Sequence, residues 1–177
     1  MSNRNFIFGL FICLILIVSL GCGNGDQPDS HAAVTKNQPT VAQAESTGDE
    51  LNTLSPAELP DDSVFSDGSR PTSWKNAGIT DSLSVKLFIK KLKRWVEDNQ
   101  VDSISAYLQY PLRNPGIKDA KDFKLNYGDY FSDGVKAAIA GQRLTQIFRN
   151  EQGAMIGQGQ VWLREQDHQI KIIAINN

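Results

Sequence analysis

Residues 144–175 leave this chain few architectures. They read LTQIFRNEQGAMIGQGQVWLREQDHQIKIIAI, and the run divides into apolar stretches separated by reversal chemistry. Residues 144–149, 154–164 and 169–175 read as three strands. Asn150, Gly153, Asp167 and His168 fall where the chain must turn back. In the last stretch Ile170, Ile172 and Ala174 share one side of a strand, and Lys171, Ile173 and Ile175 the other. In the middle stretch Ala154, Ile156, Gln158, Gln160 and Trp162 alternate with Met155, Gly157, Gly159, Val161 and Leu163. Two glycines on one face predict a bulge or a sharp bend. A curved antiparallel meander is expected, and something must pack into its curve.

The partner is expected just upstream. Val85, Phe88, Ile89, Leu92, Trp95 and Val96 recur at three- and four-residue spacing, which makes an amphipathic helix. Thr80, Asp81 or Ser82 caps its start. Phe88, Leu92 and Trp95 are expected to meet the concave face of the meander. Lys86, Lys90, Lys93, Arg94 and Glu97 fall on the other side and read as a solvated face. A second helix is predicted over 101–110, with Ile104, Tyr107 and Leu108 inward, until Pro111 stops it. A third is predicted over 118–131 and a last short one over 135–140. Helices first and sheet afterwards is the order of an α+β domain.

The N-terminus carries an address. Arg4 precedes residues 6–20, FIFGLFICLILIVSL, an apolar run of fifteen. That is shorter than the ~20 residues a membrane-spanning helix needs. A cationic start, an apolar run and small residues at its end make a signal peptide, here residues 1–21. The end of the run, Val18-Ser19-Leu20-Gly21-Cys22, resembles a bacterial lipobox. The resemblance implies cleavage after Gly21, lipidation of Cys22 and anchoring in the cell envelope. Gly23 after the cysteine implies the outer membrane, periplasmic side, in a Gram-negative source. More than one acyl chain on Cys22 gives stable anchoring.

The only other cysteine, Cys13, lies in the apolar run, so the mature chain has no internal disulfide and no Cys/His metal framework. No cofactor motif is present. Residues 22–79 are rich in Gln, Ser, Asp and Pro, show no apolar periodicity, and read as a disordered linker. As a flexible coil it spans about 40 Å. The folded domain is then expected over 80–177. Charge separates along the chain. Residues 23–80 hold nine acidic and three basic side chains, residues 81–177 eleven acidic and fourteen basic. So small a basic excess does not make a nucleic-acid surface.

Several stretches together resemble the nuclear transport factor 2-like superfamily, also called cystatin-like or ketosteroid-isomerase-like. They are Trp95-Val96-Glu97-Asp98-Asn99, Tyr110-Pro111-Leu112, Phe123 to Tyr127 with Phe131, Ile147-Phe148-Arg149-Asn150, the glycine-rich run from Gly153 to Trp162, and the end Ile170 to Asn176. The resemblance is to small exported bacterial proteins of that superfamily. It implies a cone-like half-barrel wrapped on the first helix, with a pocket at its open end. It does not imply one activity, because this fold hosts many.

An isomerase of this type needs a base and an oxyanion donor in one pocket. The expected strand interiors hold no Asp, Glu or His. The sequence therefore points to an envelope-tethered binding module rather than an enzyme. Tyr107, Tyr127, Tyr130, Gln158 and Gln160 are the candidate ligand contacts. The alternatives are a ketosteroid-isomerase-type enzyme using Tyr127 or Tyr130 with Asp129 or His168, and an inhibitor or immunity protein of an envelope hydrolase. The expected partners are the membrane, through Cys22, and a small ligand or an envelope protein; a homodimer stays open.

Overall fold

The computed structural model describes residues 50–113 and 115–177. The expected signal peptide, Cys22 and residues 22–49 of the expected linker lie outside the described residues. Within them the order is a single 3₁₀ turn at Glu50–Asn52, then helices α1 (Ser82–Glu97), α2 (Val101–Ser105), α3 (Ala120–Leu125), α4 (Tyr127–Tyr130) and α5 (Asp133–Gly141). Strands β1 (Phe148–Asn150), β2 (Gly153–Ile156), β3 (Val161–Gln166) and β4 (Gln169–Ile175) follow. They form one antiparallel sheet in the order β1-β2-β3-β4. The fold is α+β, helices first. No helix among the described residues is long and apolar enough to cross a membrane.

The α1 helix starts where its cap is. The Asp81 carboxylate accepts the Leu83 N–H at 2.9 Å and the Ser84 hydroxyl at 2.6 Å, satisfying a donor that the first turn leaves free. Val85, Phe88, Ile89, Leu92 and Val96 are buried, as the apolar spacing predicts. Trp95 departs from expectation. It is half-buried, and its ring lies 5.1 Å from Tyr107 and 6.1 Å from Phe88. The helix reaches the sheet at β4 and has α2 and α5 on its flanks, so Trp95 packs on aromatic neighbours among the helices. The expected third helix is broken at Asn126, whose side chain turns back onto Asp122 at 2.9 Å. After α2 the chain runs along β4: Ile172 N–H donates to Tyr107 O at 2.8 Å, and Gln109 N–H to Ile172 O at 2.9 Å.

The meander has four strands, because the expected middle strand is two. Residues 157–160 form a turn between β2 and β3. Gly157 has φ +66° and Gly159 φ +112°, backbone that ends a ladder and that a side chain resists. The two glycines that predicted a bend make a full reversal. Gln160 closes it, its side-chain oxygen accepting the Gln158 N–H at 2.6 Å. Gly157→Val is expected to destabilise the fold by about 1–3 kcal/mol, read as a lowered denaturation midpoint. Its Cβ would strike the Gln160 side chain and sit 2.8 Å from Ala138 Cβ. An unchanged midpoint would refute this account of the turn.

A bulge resets the last strand. Trp162 pairs Ala174 but Leu163 pairs Ile172, leaving Ile173 as the extra residue. Sides therefore switch, and Ile175 joins Ile170 and Ile172 in the core where simple alternation would have placed Ala174. The β3–β4 reversal is tighter than the expected turn. Asp167 and His168, at φ +50° and +61°, make the two-residue left-handed turn that suits strand twist.

The expected domain start at residue 80 is corrected by residues 50–79. Irregular in backbone, this strap is nevertheless packed on the domain. Ala77 and Ile79 are buried, and Leu54 and Trp74 rest on the core. Asp62 N–H donates to Thr145 O at 2.8 Å and Thr72 N–H to Arg149 O at 3.2 Å. The fixing point is Lys86, wholly buried. Its ammonium donates to the carbonyls of Glu58, Leu59 and Pro60 at 2.8–2.9 Å and pairs with Asp61 at 2.8 Å. The other Asp61 oxygen takes the Trp74 indole N–H at 2.6 Å and Arg149 at 3.2 Å, and the Arg149 guanidinium lies 4.2 Å from the Trp74 ring. Composition suggested disorder because few apolar residues mark the strap. Polar contacts to one buried cation add to the burial of those few apolar residues in holding it.

Candidate functional site

The α5 helix is capped by Ser132, whose hydroxyl accepts the Val135 N–H at 3.4 Å. Val135 and Ile139 anchor it in the core. Ala137 and Ala140 stand toward α1, and their short side chains cannot fill the space before Val96. A cleft of about 550 Å³ remains between the helices, lined by Lys93, Val96, Glu97, Lys136, Ala137 and Ala140. That volume is in the range of small-molecule sites.

Two lysines border this apolar floor. Lys93, half-buried, donates to the Gln142 carbonyl at 2.6 Å, at the C-terminal end of α5 where a cation is favoured. Burial lowers its pKa from the ordinary lysine value, with Glu58 opposing. Lys136 stands 5.4 Å from the centre of the Tyr127 ring and has no carboxylate partner among the described residues. Glu97, the one acid in the lining, lies 3.3 Å from Arg94, which holds Asp98 more closely at 2.9 Å. Beyond Lys93 lies a second hollow of about 400 Å³, between α1 and the strap. Lys90 borders it, donating to Thr53 O at 3.0 Å with Glu58 at 3.5 Å. The region offers cationic heads beside an apolar wall.

No protein-family model, curated protein or solved structure matches the chain. The functional reading rests on the sequence and on the chemistry of the described residues.

The residues expected from sequence are scattered. Tyr107 belongs to an aromatic group with Phe88 and Trp95, under Lys171 at 5.4 Å from its ring. It borders a small hollow of about 210 Å³ with Lys91 and His168. Tyr127 and Tyr130 pack on Phe123, and Tyr127 also stacks on Phe131 at 5.1 Å. The Tyr127 hydroxyl is buried without a hydrogen-bond partner among the described residues, and burial raises its pKa. Desolvation and the Asp122 carboxylate raise that of Tyr130. Gln158 and Gln160 correct the expectation that they point from a strand. They lie in the β2–β3 turn, where Gln158 borders hollows of about 340 and 460 Å³.

The acid–base pairs expected from sequence, Tyr127 or Tyr130 with Asp129 or His168, are not assembled among the described residues. The His168 side chain is 99 % exposed in the β3–β4 turn, 3.8 Å from Glu165. Asp129 is exposed, its carbonyl taking the Asn177 amide at 2.7 Å. Neither reaches a tyrosine hydroxyl within one enclosed pocket among the described residues. Sequence reasoning passed over Lys93 and Lys136. Its spacing puts Lys93 on the polar side of α1, and only the approach of α5 turns that side into a wall. The alanines at 137 and 140, three apart on a short helix, were the one available signal of a close helix–helix approach with room left over.

Proposed function

We propose that this protein is an envelope lipoprotein, anchored through Cys22, whose α+β body is a non-enzymatic binding module for a small ligand or an envelope protein. The observation that carries the binding reading is the α1–α5 cleft: a sizeable apolar hollow bordered by cations and free of an assembled acid–base pair. The anchor rests on the lipobox-like end of the apolar run. The finer fold reading, a nuclear transport factor 2-like half-barrel, is supported by helices that precede an antiparallel meander and by α1 lying against β4.

Two measurements test this. Cys22→Ala is expected to abolish labelling by a fatty-acid analogue and to leave an unprocessed precursor; labelling that persists sinks the anchor. For binding, the lipidated protein is recovered from its own envelope beside Ala140→Trp, which fills the cleft. A bound species lost in Ala140→Trp supports the cleft, and one retained by the variant places binding elsewhere.

A further inference from the structure

The cleft carries information on what it would take. Its wall is apolar where Val96, Ala137 and Ala140 meet, so the body of a ligand is apolar. Its charged groups are unbalanced. Glu97, largely exposed, shares Arg94 with Asp98, which holds that guanidinium more closely at 2.9 Å; against this one carboxylate the lining sets two ammonium groups. Among the described residues Lys136 has an aromatic ring beside it and no carboxylate partner. Lys93 gives one hydrogen bond to the Gln142 carbonyl, and an ammonium has three donors, so two remain for a ligand. Partial burial makes that ammonium costly to keep charged, and the Glu58 carboxylate offsets this only in part. A neutral ligand would leave both ammonium groups as they are, and a cation would be repelled. An anion relieves both.

We propose that the α1–α5 cleft binds an anionic amphiphile, its acidic head between Lys93 and Lys136 and its apolar body against Val96, Ala137 and Ala140. This deepens the binding-module reading and rests on it. An ammonium is a point charge without the planar fork that selects carboxylate geometry. The shared chemistry is therefore an acidic head on a short apolar tail, with carboxylate and phosphate monoester as its two sources.

The test uses the full lipidated chain in nanodiscs, with alanine methyls labelled so that Ala137 and Ala140 report from the cleft. Hexanoate, hexyl phosphate and hexanol are titrated in turn, with empty nanodiscs correcting for partition into lipid. Both acids are expected to shift the two methyls saturably, at least one about tenfold more tightly than hexanol, the effect that two partly exposed ion pairs give together. The tighter acid names the head group. Lys136→Met, which removes a side chain with no hydrogen bond among the described residues, is expected to erase most of that advantage while hexanol binding persists. Equal affinity for hexanol and both acids overturns the anionic head and leaves the cleft as a binding site. Methyls that stay still with all three probes overturn both readings.

Discussion

Lys86→Met is expected to destabilise the fold by about 3–5 kcal/mol, the range for removing one partner of a buried ion pair. Methionine keeps the apolar stem and the volume, so packing loss is small. What goes is the ammonium that holds the Glu58, Leu59 and Pro60 carbonyls and one oxygen of Asp61. Each buried acceptor left unpaired costs about 1–3 kcal/mol, and water reaching the partly exposed Asp61 softens the total. Chemical denaturation measures it. Lys90→Met, one turn along, is the control and is expected to change little, because its head is partly in water. A double-mutant cycle with Asp61→Asn separates the pair from the three carbonyls. If Lys86→Met and Lys90→Met cost the same small amount, the clasp does not hold the strap.

Removing residues 1–79 is expected to abolish cooperative unfolding. The truncation takes away Ala77 and Ile79 from the core, Leu54 and Trp74 from its edge, and every partner of Lys86. It leaves a buried ammonium unpaired and Arg149 without Asp61. Losses of this kind sum to the size of a whole domain stability, about 5–15 kcal/mol. Composition alone would argue the reverse, a melting temperature indifferent to the cut. Differential scanning calorimetry of the chain begun at residue 80 decides between them. A transition within a few degrees of the full chain would show the strap to be a passenger.

How far the residues spoke for themselves varies by element. The first helix was legible in its apolar spacing and its cap, because period and capping are local. So was the Asp167-His168 reversal. The glycines at 157 and 159 announced a break without its size: a bulge and a hairpin both use left-handed backbone, and which forms depends on what closes it. Ile175 was misplaced for a related reason. One extra residue in β4 inverts every side after it, and a pattern of two cannot register an insertion.

By itself the sequence determined the class of the fold, helices before an antiparallel meander, and the main inward residues of α1. These depend on neighbours three or four positions away, or on the alternation of one strand. Tertiary structure alone decided the rest. Lys86 and Lys93 stand seven apart on one helix and look alike. One is sealed under a strap from residues 58–61, the other borders a cleft opposite α5. Whether a lysine is solvent-facing, structural or poised for a ligand depends on which segment arrives beside it. That segment comes from about 25 to 50 positions away, beyond the reach of any local period.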